Sequence, residues 1–465
     1  MAISRGKIMS QQKTLMAYEV RASLICGLIM ATVFFFLVAL MLQCGAVLGA
    51  NPEADILREK AINELNHSLI IEGSIIDTNG ETITYAETAG QSAQHIFPEE
   101  YGFLIGYNNR QYGKYALRGK LDSFLYGSED ETGRGCTVRL TTSNRLQTIC
   151  YQAIGTVPGS AIILENKTGR ILALASRAEI LFNPNRLSEK MDEYNSHEGF
   201  FLQNGWTEKD PPGSIFKIIT SACALENTLT QEELEFVDTG ALDIPGGSKV
   251  HNFRQEVHGM LDLQGAFSGS VNTYFANLAM SLGAARLEET MEKFMLGSDI
   301  ELDFTTLRSS RDLGNRSPFL IAQTGFGQGR LQLTPLHLAM ITQCVANDGT
   351  MLKPYLIEEI REGGKRPFLK GRTEVLSKAV DKKTAKALQE MMEYTAESRY
   401  RFSAESFGRV GAKTGTAELG NGMNHVYLCV FTEEYTIVLS RNRVEGASGQ
   451  LTQPMKTILD YLYVQ

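Results

Sequence analysis

The stretch PPGSIFKIIT, Pro211–Thr220, sets a serine and a lysine three residues apart, directly behind two prolines and a glycine. Pro and Gly stop the preceding chain, and the run from Ser214 through IFKIITSACALE has helical character. Ser214 is then expected at a helix start, with Lys217 one turn later on the same face. A serine hydroxyl is a weak nucleophile until a base takes its proton. A buried lysine, its charge disfavoured by desolvation and by the positive helix end, can be that base. The plainer reading makes Ser214 a helix cap and Lys217 a solvated side chain. Spacing does not choose between them, because Ser-x-x-Lys recurs at Ser4–Lys7 and Ser10–Lys13.

Order along the chain does choose. Ser270-Val271-Asn272, in FSGSVNTYFANLA, opens a second helical run and offers a hydroxyl for proton relay and an amide to hold a substrate carbonyl. Lys413-Thr414-Gly415-Thr416, in RVGAKTGTAEL, reads as an extended strand. There a lysine can hold negative charge, a hydroxyl can bind a carboxylate, and a glycine lets a ligand lie against the strand. Each element has a double. Lys167-Thr168-Gly169 falls between the apolar runs SAIILEN and RILALAS, where a turn is expected, and Ser440-Arg441-Asn442 lies inside a late strand.

The other two Ser-x-x-Lys matches are separated by topology. Ala22–Ala50 is 29 residues without a formal charge, where a membrane-spanning helix needs about 20. A cleaved signal peptide would have an apolar region of about 7–15 residues. Arg5, Lys7, Lys13 and Arg21 precede the span against Glu19, whereas Glu53, Asp55 and Glu59 follow it. The positive-inside rule assigns residues 1–21 to the cytoplasm and everything after Asn51 to the outside. Ser4 and Ser10 are then across the membrane from Asn272.

The 465 residues suit two extramembrane units beyond the anchor, and a net charge of −8 with scattered Lys and Arg excludes a nucleic-acid footprint. Seven cysteines and seven histidines form no disulfide framework and no metal-ligand spacing, so no metal or cofactor is expected. GFGQGR, Gly325–Arg330, lacks the strand and acidic residue of a phosphate loop and reads as a structural turn. SIIDTNGETITYAE, Ser74–Glu87, is a hairpin around Asn-Gly and begins a small module over residues 51–135. From residue 136 to 465 a second unit has strands near both ends and a mostly helical middle, including the amphipathic LTPLHLAMITQCVANDG. That pattern gives one α+β domain whose sheet is assembled from distant sequence.

Ordered Ser-x-x-Lys, Ser-x-Asn and Lys-Thr-Gly elements are those of the penicillin-binding proteins and serine β-lactamases. PPGSIFK, SVNTYFANLA, GFGQGRLQLTPLHLAMITQCVANDGTMLKPYL and AKTGTAE resemble the class B penicillin-binding proteins. The resemblance implies an antiparallel sheet flanked by helices, a helical subdomain, a small pedestal and one N-terminal anchor. It implies that Ser214 attacks a D-Ala-D-Ala stem peptide, with Lys217 as base, Ser270 and Lys413 relaying the proton and Asn272 holding the donor amide. Thr414 and Thr416, with Gly415 between them, would bind the terminal carboxylate, and the N–H groups of Ser214 and Thr416 would form the oxyanion hole. A second stem peptide would then take the acyl group, and β-lactams would trap the serine. With no glycosyltransferase domain in the chain, the glycan would come from a SEDS-type membrane partner. Water as acceptor, as in a D,D-carboxypeptidase or β-lactamase, and a non-turnover β-lactam sensor or scaffold are the competing readings. The chain departs from the family in the pedestal. Glu72 and Thr78 stand where arginines are usual, Arg118 where a glutamate is usual, and Tyr427 replaces a common tryptophan.

Overall fold

In this computed structural model the described residues are 25, 28–30, 32–36, 62, 65–127 and 133–464. Two compact units are distinguished, Met1–Ser68 and Leu69–Gln465. In the first, the described residues are helical. The expected membrane span Ala22–Ala50 lies mostly outside the described residues, as do the serines of SRGK and SQQK. Among the described residues no helix is long and apolar enough to cross a membrane.

The second unit is organised by a sheet of five antiparallel strands: β1 (Gly159–Glu165), β2 (Ile171–Arg177), β3 (Val410–Glu418), β4 (Met423–Thr432) and β5 (Tyr435–Glu445), in the order β3-β4-β5-β1-β2. The first two strands and the last three are more than 200 residues apart (410 − 177) yet adjoin through β5 and β1, where Ile437 faces Ile163 and Leu439 faces Ala161. Strand alternation sorts the side chains. Ala161, Ile163, Val426, Leu428, Val430, Ile437 and Leu439 pack on one face, and Ile162, Leu164, Tyr427, Cys429, Phe431 and Val438 on the other. Both faces are dry, so the strands read as nearly continuous apolar runs instead of alternating ones.

Helices around the sheet and the cleft include α1 (Asn144–Ile154), α2 (Lys217–Glu226), α3 (Leu263–Gly269), α4 (Asn272–Leu282), α5 (Pro335–Ala346), α6 (Lys382–Thr395) and α7 (Thr452–Tyr463). Cys150 and Ile154 of α1, with Met455, Ile458 and Leu459 of α7, cover the first face. The second face rests on α5, which is not amphipathic as its sequence suggests: Pro335 through Val345 are all buried. A helix apolar nearly all round belongs inside. Its polar groups mostly find partners there, His337 in Ser309 and Phe294 O, Thr342 in Leu338 O, and the Gln343 amide nitrogen in Glu165 O, while Gln343 Oε1 is buried without one. The middle of the chain is also less helical than read, with short two-stranded ribbons over 236–261, 300–307 and 350–378.

The Asn-Gly hairpin forms as expected, pairing Ile75–Ile76 with Thr82–Tyr85, and Gly80 takes φ 89° in the turn. Its sheet has six strands, because Gln94–His95, Thr137–Leu140, Ile357–Arg361 and Leu369–Lys370 join it. A boundary at 135/136 therefore runs through a sheet. Asp77 ties the hairpin to α1 by accepting from the N–H groups of Asn79, Glu81 and Asn144 at 2.8, 2.9 and 3.1 Å. The unusual Glu72 and Arg118 prove to be partners. Arg118 Nε and Nη2 donate to Glu72 at 2.8 and 2.6 Å, with both residues 1% exposed. Thr78 receives an arginine from elsewhere, Arg170, at 3.0 Å.

Candidate active site

Pro211 and Pro212 deliver the chain to a single 3-10 turn, Gly213–Phe216, and α2 starts at Lys217. Neither Ser214 nor any neighbouring side chain caps this turn or α2. The capping reading of Ser214 therefore fails, and its hydroxyl is left facing a cleft. Gly213 (φ 55°) sets its position: its N–H donates to Gly327 O at 2.9 Å, and a Cβ at Gly327 would fall 1.8 Å from Gly213 O. The GFGQGR turn is thus the backbone rest for the Ser214 turn. Gly415 is needed for a reason different from ligand approach. A Cβ there would meet Pro212 O at 2.8 Å and Ile215 at 2.9 Å, behind the cleft, where β3 presses against the same turn.

Ser270 does not open a helix. It ends α3 in the left-handed region (φ 56°, ψ 40°), Val271 is the N-cap of α4, and Asn272 is its first residue. A non-glycine residue held there costs roughly 1–2 kcal/mol. The bend directs Ser270 and Asn272 to one point. Lys217 Nζ donates to Ser270 O at 2.6 Å, Asn272 Oδ1 at 2.8 Å and Ser270 Oγ at 3.2 Å. Lys413 Nζ reaches the same hydroxyl from β3 at 3.0 Å. Ser270 Oγ is a bridge between two lysines, each at most 1% exposed.

Two buried ammonium groups around one hydroxyl cannot both keep their charge cheaply. Burial, and then the charge of Lys413, hold Lys217 well below the usual lysine range. Burial brings Lys413 down to about 7. The rings of Phe275 and Phe267 lie 5.4 and 5.5 Å from the two ammonium nitrogens and favour the cation. That is worth about 0.5–2 kcal/mol, less than the burial of a lysine costs.

The cleft has a volume of about 650 Å³ and is lined by Ser214, Ser270, Asn272, Thr414 and Thr416, together with residues that sequence reading did not single out. Thr414, Thr416 and Glu418 are alternate residues of β3, an edge strand, and share its cleft face. Gln323, Phe326 and Gln328 come from the GFGQGR region, and Lys249–Arg254 form the far wall. That wall is pinned by Asp238, which accepts from Thr273 Oγ1 at 2.7 Å, Asn252 Nδ2 at 2.8 Å and His258 Nδ1 at 2.9 Å. Burial alone would raise the Asp238 carboxyl, yet the bonds from Thr273, His258 and Gly240 hold it below the usual range. Only a polar residue before a Thr-Gly turn hinted at this hub. The doubles stay away from the cleft: Lys167 is exposed at a hairpin tip, and Ser440 is buried against Ser160 Oγ at 2.8 Å. No group of residues fit to hold a metal occurs among the described residues.

A five-stranded antiparallel sheet with a serine turn, a hydroxyl-amide bend and a lysine edge strand converging on one cleft defines the serine transpeptidase and β-lactamase class. The chain belongs to the penicillin-binding protein transpeptidase family, whose domain model matches residues 159–431. It is 26% identical over 382 residues to peptidoglycan D,D-transpeptidase PbpA of Mycolicibacterium smegmatis, covering 74% of this chain and 77% of that one. It is 27% identical over 304 residues to penicillin-binding protein 3 of Bacillus subtilis, 63% of this chain and 44% of the relative. In fold it matches the penicillin G acyl-enzyme complex of penicillin-binding protein A from M. tuberculosis, with a TM-score of 0.77 at 24% identity over 85% of this chain and 100% of the other.

Proposed function

We propose that this chain is a membrane-anchored peptidoglycan D,D-transpeptidase that cross-links D-Ala-D-Ala stem peptides through a Ser214 acyl-enzyme and is inhibited by β-lactams. The observation that carries the reading is the Lys217–Ser270–Lys413 bridge beside the uncapped Ser214. An ammonium would spend all three protons on the three acceptors around Lys217. The neutral amine favoured by burial keeps a lone pair, which can take the Ser214 proton as Oγ attacks the penultimate D-alanine carbonyl.

The tetrahedral oxyanion then sits between the N–H groups of Ser214 and Thr416, whose backbones are held together through Gly213. The proton passes from Lys217 through Ser270 Oγ, with Lys413 beside it, to the leaving D-alanine nitrogen. Asn272 holds the donor amide, and Thr414 and Thr416 meet the terminal carboxylate. The amine of a second stem peptide attacks the ester, Ser214 leaves, and the cross-link remains. The uncharged stretch Ala22–Ala50 supports an anchor with the catalytic unit outside, and a SEDS-type polymerase is the partner expected to supply the glycan.

Fluorescent penicillin labels the wild type covalently and does not label Ser214→Ala; equal labelling of both would refute the assignment. Incubation with a donor and acceptor stem-peptide pair gives cross-linked dimer. Free D-alanine without dimer would place water as the acceptor, and labelling without turnover would make the site a sensor.

A further inference from the structure

Residues Ala396–Tyr400, AESRY, form one π-turn at the end of α6, and Arg401 closes it in the left-handed conformation with φ 57°. Single π-turns are rare and concentrate at functional sites. This one is fixed by the Phe402 N–H, which donates to Ala396 O at 3.1 Å, and by Phe402 itself, 1% exposed. It sets Tyr400 against the edge strand, with the phenol oxygen 2.6 Å from Thr414 Oγ1.

Each of these hydroxyls has one proton and two lone pairs. If Thr414 donates to Tyr400, it presents only lone pairs to the cleft, which repel an anion. If Tyr400 donates, the Thr414 proton is free to point into the cleft, and the hydroxyl is polarised by the bond it accepts. We propose that Tyr400 is a positioning residue for anion recognition: by donating to Thr414 Oγ1 it reserves the Thr414 proton for the terminal carboxylate of the substrate. The inference rests on the transpeptidase reading, in which Thr414 meets that carboxylate. Burial keeps the Tyr400 phenol above its ordinary range, so it remains a donor throughout the working pH.

The test compares acylation by benzylpenicillin with acylation by its methyl ester, in wild type and Tyr400→Phe. Phenylalanine keeps the ring that lies 6.0 Å from Phe402 and removes only the hydroxyl. The second-order acylation rate with benzylpenicillin is expected to fall about tenfold, the value of one charge-assisted hydrogen bond, while the ester rate moves less than about twofold. In a Thr414→Val background Tyr400→Phe is expected to cost nothing further with benzylpenicillin. Equal losses with both probes, or no loss with either, would overturn the proposal while leaving Ser214 acylation intact. A wild type that forms no Ser214 adduct with either probe would take down the transpeptidase reading itself, and this proposal with it.

Discussion

Replacing Glu72 by alanine removes one end of the buried Glu72–Arg118 pair and leaves the guanidinium at a site where it is 1% exposed. Breaking such a pair from one side costs about 3–5 kcal/mol, because the remaining charge is dry and uncompensated. Arg118→Ala strands the carboxylate instead, but Glu72 still accepts from Tyr126 at 2.8 Å and from the Ala93 N–H at 3.1 Å, so its loss falls at the lower end. Exchanging the signs, Glu72→Arg with Arg118→Glu, restores the polarity usual in the family. It cannot be free, since the Ala93 N–H would then face a cation and only the Tyr126 hydroxyl can turn round to accept. The exchange is expected to recover roughly half the summed single losses, a coupling of about 2 kcal/mol or more. Urea unfolding of the purified protein followed by circular dichroism measures all four proteins. Single losses below about 1 kcal/mol, or an exchange as unstable as the sum of its parts, would refute the pairing as the brace of the pedestal.

Lys413 binds its proton near pH 7 when folded and an ordinary solvated lysine near 10.5, so between those values the unfolded chain carries more protons. Stability is therefore expected to rise with pH across that window, and Lys413→Met to flatten the slope in urea titrations run from pH 7 to 10. In the same range benzylpenicillin acylation is expected to decline on the alkaline side as Lys413 discharges, with an acid limb, displaced well below the usual lysine range, where Lys217 gains its proton; a profile flat from pH 5 to 9 would remove both lysines from the rate. Gly327→Ala must clear a 1.8 Å approach to Gly213 O and is expected to cut penicillin labelling by at least about tenfold. Gly329→Ala, at φ 79° but with its nearest neighbour 3.4 Å away, pays only backbone strain of about 1 kcal/mol and keeps labelling. Equal labelling of the two would detach the GFGQGR turn from the nucleophile.

What could be read from sequence was what the chain decides locally. The hairpin at Asn79-Gly80, the apolar runs of β1, β2, β4 and β5, and the ordered serine, asparagine and lysine elements each signal themselves within about ten residues. The illegible features depend on what packs against them. Ser270 looks like a helix opener because FANLA follows it, yet the left-handed bend that aims it is imposed by α3 before and α4 after. The burial of α5 is set by a sheet whose strands lie on both sides of it in the chain. Glu72 and Arg118 look like two separate departures because 46 positions divide them, and only the fold makes them one exchange. Tyr400 has no motif at all; it reaches Thr414 only through a π-turn.

The contact of Gly213 with Gly327 and Thr416, and of Gly415 with Pro212, makes the gauge of this cleft out of main chain. The span from nucleophile to anion-binding strand is set mainly by peptide dimensions, which every sequence shares, with the Ile215 side chain filling in behind. Around such a fixed ruler the walls can turn over freely. A chain with only about a quarter of its residues in common with a relative can then keep the same working distance whatever side chains line the walls at 249–254 and beyond Thr416. Resistance by widening that span would have to move three backbones together, so substitutions that weaken drug capture are expected to collect on the walls, and the glycines to stay.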